Sequence, residues 1–417
     1  MSEFIINGKK RLSGEAEVQG SKNAALPILA ATLLTKGENV ILNCPALSDV
    51  DAATRILRCL GADVSRQGSA LLINCDGISC PVVPDSLMRE MRGSIVFLGA
   101  MLARCGRARV SYPGGCELGP RPIDLHLKAL RALGAEISER HGVLECTASK
   151  GLKGAKIALS FPSVGATENI ILAAVCADGT TTITNAAREP EVVDLCDFLC
   201  EAGAEIYGAG EGTVVIEGVK SLGAASHTII PDRIVAATLM SAAAVTGSEI
   251  VLKDIVASHL GAVIPVFEEA GCEIKSYRGS LRIKAPERLS ALSLLRTMPY
   301  PGFPTDAQAP LMAVASVCRG TSVFAENIFE SRYKHVDGLR RLGADIDIEG
   351  KVAVVKGVET LYGAKLQAHD LRGAAGLLIA ALCAEGKSRL SGICYLERGY
   401  ESFETVLSSL GADVMKV

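Results

Sequence analysis

Cys116 follows Pro113-Gly114-Gly115, and Arg121 stands five residues further on. A thiol flanked by glycines, prolines and a glutamate differs from one set in a Leu/Val run, because glycine lets a ligand approach the backbone closely. A neighbouring guanidinium favours the thiolate and lowers the thiol pKa. Such a pair suits proton transfer beside an anion. A loop cysteine with no role fits the same local residues.

Further polar loops precede apolar stretches. Lys22 and Asn23 stand in "GSKNAALP", Arg92 in "MREMRGSIVF", Ser163 and Val164 in "FPSVGATENI", and Asp306 in "PGFPTDAQAP". Helix N-termini attract anions, and a cation beside one strengthens the attraction. Arg332 in "NIFESRYKH", Arg372 in "AHDLRGAAG" and Arg398 in "LERGYE" add three guanidinium groups. With Lys22, Arg92 and Arg121 they could line a pocket for a polyanion. From local sequence alone, Ser163 and Asp306 read equally as helix N-caps and the cations as solvated surface charge.

The elements that must carry these residues repeat. The phrase "LGADV" at Gly61 returns as "LGAEI" at Gly134, "AGAEI" at Gly203, "AGCEI" at Gly271, "LGADI" at Gly343 and "LGADV" at Gly411. A second set, Gly37, Gly106, Gly179, Gly247, Gly320 and Gly386, closes Ala-rich apolar segments. The period of about 70 residues is long enough for a supersecondary unit with its own core. Each unit reads as a buried apolar helix ending at glycine, a β-branched strand, an amphipathic helix and a hairpin such as "DIDIEGKVAVVKG". The last copy stops after "ADVMKV", whereas "EFIING" near the start is a strand that precedes any helix. The N-terminus is therefore expected to complete the last unit. Three units per domain give a domain at 22–230 and a second from 1–21 plus 231–417, with crossings near 20 and 230 and a hinged cleft between them.

Composition excludes several classes. The 417 residues are 49% apolar and 21% charged, with a net charge of −3, which describes a soluble globular protein rather than a nucleic-acid binder. Apolar stretches fall short of the roughly 20 residues that span a bilayer, and "MSEFIINGKKRLSGE" has no export core. The fourteen cysteines sit mostly in apolar runs without Cys-x-x-Cys, and the six histidines are dispersed, so no metal is expected. "YGAGEGT" has Thr213 where a dinucleotide fingerprint needs glycine. "AALCAEGKS" has Ala381 where a P-loop needs glycine, and it ends a helix instead of opening one.

The loops "GSKNAALP", "PGGCELGPRPIDLH", "FPSVGATENI", "NAAREPEVVDL", "PGFPTDAQAP", "IFESRYKHV", "HDLRGAAG" and "ERGYE" resemble, along the whole chain, those of the UDP-N-acetylglucosamine enolpyruvyl transferases. The resemblance implies a two-domain inside-out α/β barrel of six βαβαββ-type units. It implies transfer of enolpyruvyl from phosphoenolpyruvate to the 3-hydroxyl of the UDP-sugar, with no cofactor, in a cytoplasmic monomer or weak oligomer. By motif, Lys22, Asn23, Arg121 and Arg398 would hold the phosphate of phosphoenolpyruvate, and Arg332 and Arg372 its carboxylate. Arg92, Arg121, Pro122, Ile123, Asp124, Leu125, Ser163, Val164, Asp306 and Ile328 would meet the UDP-sugar. Cys116 would be the general acid and Asp306 the base. The related shikimate-pathway transferases share the fold and cationic pocket but lack this cysteine. Two positions depart from the family: Phe161-Pro162 where some members carry a lysine near the diphosphate, and Tyr395 where a histidine is frequent.

Overall fold

The structure is a computed structural model, and it describes residues 2–79, 81–114 and 123–417. These residues form five four-stranded sheets and one three-stranded sheet. Every glycine of the two sequence sets has positive φ. At Gly61 (φ 108°) this lets the helix Ser48–Leu60 close on a left-handed cap and turn directly into the strand Asp63–Gln67, a conformation in which a Cβ is strained.

The chain forms two compact units. In the unit of residues 20–230, Ser226–Thr228 runs parallel to Glu38–Leu42, which pairs antiparallel with Ala70–Asn74 and through it with Asp63–Gln67. Lys156–Ala158, Thr180–Thr184, Thr213–Glu217 and Glu205–Tyr207 repeat that order. The third sheet holds only Arg107–Ser111, Val143–Thr147 and Glu136–Arg140. Where a parallel fourth strand would lie there is a single bridge, Val82 to Arg109. Pro81 and Pro84 flank it, and proline cannot donate to a ladder.

The unit built from residues 2–19 and Pro231–Val417 carries three sheets of the full order. Two of them are Ser13–Glu17, Glu249–Lys253, Ser280–Lys284, Glu273–Tyr277 and Leu294–Arg296, Thr321–Ala325, Val352–Lys356, Asp345–Glu349. In the last, Glu3–Asn7 lies between Lys387–Ser391 and Asp413–Lys416, antiparallel to both.

Inside each unit three apolar helices pack on one another. In residues 20–230 they are α1 (Lys22–Ala31), α2 (Phe97–Cys105) and α3 (Val164–Ala174). In the other unit they are α4 (Arg233–Val245), α5 (Gln308–Ala315) and α6 (Leu371–Cys383). These helices are apolar nearly all round and almost wholly buried, as expected for core elements. The helices approach closely: a Cβ on Gly99 of α2 would stand 2.3 Å from the Asn169 carbonyl oxygen of α3, and one on Gly376 of α6 would stand 2.7 Å from that of Ala309 on α5. No helix of the described residues is long and apolar enough to cross a membrane. The helices therefore present their N-terminal turns, and the loops that feed them, as the places where polar side chains collect.

Candidate active site

Asp306 lies in the single 3-10 turn Thr305–Ala307 that leads into α5. It is not a helix cap: Ala307 stands at that position, and no side chain caps α5. Its carboxylate instead holds two arginines. Arg332 Nη2 donates to Oδ1 at 2.8 Å, while Arg372 donates to Oδ2 from Nε at 3.1 Å and from Nη2 at 3.0 Å. Both guanidinium side chains are only 2% exposed, whereas the Asp306 carboxylate is 28% exposed and so faces solvent at one edge. Burial disfavours the Arg372 charge, but Asp306, then Tyr400 and Asp232, outweigh that and raise its pKa above the ordinary arginine value. Its Nη1 is buried and meets no acceptor at normal hydrogen-bond geometry among the described residues, on the side of the guanidinium not taken up by Asp306.

Local structure explains this convergence. Asp370 caps α6 by accepting from the Arg372 and Gly373 amides at 3.1 and 2.9 Å, which starts the helix at Leu371 and fixes Arg372 in its first turn. Arg332 also donates to the Thr305 carbonyl from Nε (3.3 Å) and Nη2 (3.0 Å). The Arg372 guanidinium lies 5.4 Å from the Tyr400 ring centre, and Arg332 lies 5.5 Å from that of Phe329. His335 donates to the Arg332 carbonyl from Nδ1 at 3.2 Å. Burial, opposed by Asp370 and aided by the Arg332 charge, pushes its pKa down to about 4, so the imidazole is neutral at pH 7.

In the unit of residues 20–230, Ser21 caps α1, so Lys22 and Asn23 form its first turn instead of preceding it. Lys22 Nζ stands 3.5 Å from Asp49 Oδ2, and both side chains are largely buried. Arg92 opens the 3-10 turn Arg92–Val96 that runs into α2. Ile123 is buried and precedes the helix Asp124–Ala132, with Asp124 exposed and Leu125 half-buried in its first turn. Ser163 caps α3 by accepting from the Ala166 amide at 3.4 Å, and Val164 begins that helix.

His126 ties these pieces together. It accepts at Nδ1 from Asn169 Nδ2 (3.0 Å), and its ring edge is 3.3 Å from where a Gly165 side chain would begin. Asn169 in turn donates to the Ile95 carbonyl at 3.0 Å and accepts from the Gly99 amide at 2.6 Å. Burial, with the nearby Arg92 charge, pushes His126 down to about 4 against the opposing pull of Asp124. The Arg92 and Asp124 charges thus lie near one buried imidazole at the start of α3. Further along α3, Glu168 is pushed up to about 8 by burial, then by Glu191 and Glu189.

The structure therefore brings Asp306, Arg332 and Arg372 together in one unit, and in the other it sets the Arg92 and Asp124 charges near His126, with Ser163 and Val164 at the start of the helix whose Gly165 and Asn169 meet that imidazole. Ile328 donates its amide to Glu326, and Arg398 ends the 3-10 turn Ile393–Arg398. Cys116, Arg121 and Pro122 lie outside the described residues. Asp49, His126, Asn169, Glu326 and Asp370 escaped the sequence reading. Asp370 alone carried a local signal, an Asp immediately before a Leu-Arg-Gly-Ala-Ala helix start.

The family profile of EPSP synthase (3-phosphoshikimate 1-carboxyvinyltransferase) matches residues 6–407. The chain belongs to the EPSP synthase family. Within this family it is 49% identical, over all of both chains, to the UDP-N-acetylglucosamine 1-carboxyvinyltransferase 2 of Caldanaerobacter subterraneus subsp. tengcongensis. It is 47% identical to the UDP-N-acetylglucosamine 1-carboxyvinyltransferase of Trichlorobacter lovleyi, over 100% of this chain and 99% of that one. Among solved structures, the enolpyruvyl transferase NikO from Streptomyces tendae superposes with a TM-score of 0.91 at 25% identity, over 100% of this chain and 99% of that one. An EPSP synthase from Acinetobacter baumannii, at 20% identity and full coverage of both chains, has a TM-score of 0.78 and shares the fold. The EPSP synthase family fold is thus the scaffold on which the Asp306 cluster is built.

Proposed function

We propose that the chain transfers the enolpyruvyl group of phosphoenolpyruvate to the 3-hydroxyl of UDP-N-acetylglucosamine, releasing phosphate, as the first committed step of peptidoglycan synthesis in the cytoplasm. The observation that carries this reading is the 46–49% identity, across the whole chain, to relatives that bear that enzyme's name. In the same reading, residues 22–230 form one domain and 1–21 with 231–417 the other, each an inside-out barrel of three βαβαββ-type units.

The reaction is an addition followed by an elimination. A proton from Cys116 adds to the methylene carbon of phosphoenolpyruvate, the sugar oxygen bonds to the central carbon, and Asp306 takes the hydroxyl proton. The C–O bond to phosphate then breaks, phosphate leaves with its electron pair, and the methyl group gives a proton back to the Cys116 thiolate, forming the enol ether of the product. Lys22, Asn23, Arg121 and Arg398 hold the phosphate, and Arg332 and Arg372 the carboxylate, where fixed cations stabilise the charge that develops. Arg92, Arg121, Pro122, Ile123, Asp124, Leu125, Ser163, Val164, Asp306 and Ile328 meet the UDP-sugar. The guanidinium groups that hold Asp306 are those assigned to the carboxylate of phosphoenolpyruvate. A bound carboxylate that competes for them would release an Asp306 oxygen to accept from the sugar hydroxyl.

The test is phosphate release from phosphoenolpyruvate with each of two acceptors. Release with UDP-N-acetylglucosamine and none with shikimate 3-phosphate is expected. Release with shikimate 3-phosphate alone would reassign the chain to the other activity of its family.

A further inference from the structure

Glu326 follows directly on the strand Thr321–Ala325 and is 1% exposed. A carboxylate so buried needs several donors, and Glu326 has four. Its Oε1 accepts from the backbone amides of Ile328 (2.8 Å) and Phe329 (3.0 Å). Its Oε2 accepts from the Thr305 hydroxyl (2.9 Å) and from Gln308 Nε2 (3.5 Å). Thr305 is the residue before Asp306, and its carbonyl is held from the other side by Arg332. A lone 3-10 turn has poor hydrogen-bond geometry of its own. Here it is fixed externally, at the hydroxyl by Glu326 and at the carbonyl by Arg332.

We propose that Glu326 is a positioning residue for Asp306. It ties the turn that carries the base to the loop from Ile328 to Arg332, so that carboxylate and guanidinium groups keep one register. The inference rests on Asp306 acting as the base. A displacement of about 1 Å in such a group can cost on the order of 100-fold in rate, and the buried carboxylate binds the Thr305 hydroxyl on one loop and the Ile328 and Phe329 amides on the other.

Thr305→Val cuts the tie on the Asp306 side and leaves the Ile328 and Phe329 bonds intact. It should lower kcat about tenfold, with KM for UDP-N-acetylglucosamine nearly unchanged, because positioning acts on the reacting geometry and not on uniform binding. Added to Asp306→Asn, it should cost nothing further, since the group it positions is already disabled. Glu326→Gln should retain most activity: its oxygen can keep the two amides, while Gln308 Oε1, which has no hydrogen-bond partner among the described residues, can turn to accept from the new amide. Glu326→Ala should lose at least as much kcat as Thr305→Val, and the conclusion stands on Thr305→Val alone if the alanine variant does not fold. An unchanged kcat in Thr305→Val, or an equal loss with and without Asp306→Asn, overturns the inference while a slow Asp306→Asn upholds the base. A near-normal rate in Asp306→Asn overturns both.

Discussion

Replacing Asp306 by Asn separates what the carboxylate does for the fold from what it does for the reaction. The amide keeps the shape and one acceptor oxygen, but its nitrogen would face the donors of a guanidinium group. Arg332 and Arg372, each 2% exposed, would share a site without their counter-charge. Breaking a buried ion pair costs about 3–5 kcal/mol, and the partial exposure of Asp306 places this case near the lower figure, about 3 kcal/mol. For a unit of this size each kcal/mol moves the melting temperature by about 2–4 °C, so a fall of roughly 6–12 °C is expected. The variant should still be folded at 25 °C, because native stabilities run to about 5–15 kcal/mol. Turnover should fall by about 100-fold or more, the usual range for losing a general base. Calorimetry gives the melting shift, isothermal titration the affinity for UDP-N-acetylglucosamine, and phosphate release at 25 °C the rate. A variant that shows the melting loss but turns over near the parent rate would leave Asp306 a purely structural counter-ion and refute its assignment as base.

Glu168 gives a pH-dependent test: its pKa of about 8 lies above the ordinary 4.5, so the folded state holds a proton that the unfolded chain releases. Its contribution to stability is therefore complete below about pH 4.5 and is lost as pH rises through 8. Glu168→Gln should flatten the melting temperature between pH 5 and 8 and exceed the parent at pH 8; a parallel curve would show that Glu168 ionises freely. At Cys116, a small phosphonate epoxide such as fosfomycin should alkylate one site, with activity lost in step, and Cys116→Asp should remain active but resist it. Burial pushes the thiols of Cys75 and Cys146 up to about 11 and those of Cys272, Cys318 and Cys383 up to about 12, which removes them as competitors. Peptide mapping that finds the label at the exposed Cys59, Cys200 or Cys394 would refute the assignment.

Features set by a few adjacent residues could be read from the chain before any coordinates. Gly61 and its counterparts mark helix ends because a left-handed cap is a local demand of the backbone. The apolar helices show in composition because burial on every side leaves no polar face to select. Pro81 and Pro84 carried a signal for the one incomplete sheet, yet a period of similar phrases concealed it. Asp306 shows where local reading stops. Ahead of an apolar helix it is indistinguishable from a cap, and only Arg332 and Arg372, 26 and 66 residues away, reveal its use. Glu326 in "FAEN" has no motif at all, since its meaning lies in a turn 21 residues earlier. The partnership of Lys22 with Asp49 is hidden for the same reason: nothing near either residue names the other.

The strand Glu3–Asn7 sits inside its sheet, flanked on one side by Lys387–Ser391 and on the other by Asp413–Lys416. A ribosome therefore makes this strand long before the two strands it pairs with. When Glu3–Asn7 has been synthesised, both of its neighbours are still more than 370 residues from being translated, and the unit of residues 20–230 can be completed in the interval. That unit is in effect an insertion between a strand and its sheet. The nascent chain must keep a short alternating apolar segment, with Phe4 and Ile6 on one face, without these partners until Lys387–Ser391 and Asp413–Lys416 have been made. Charged and turn-forming residues follow directly in "GKKRLSGE", the kind of flank that discourages edge-to-edge association of a waiting strand.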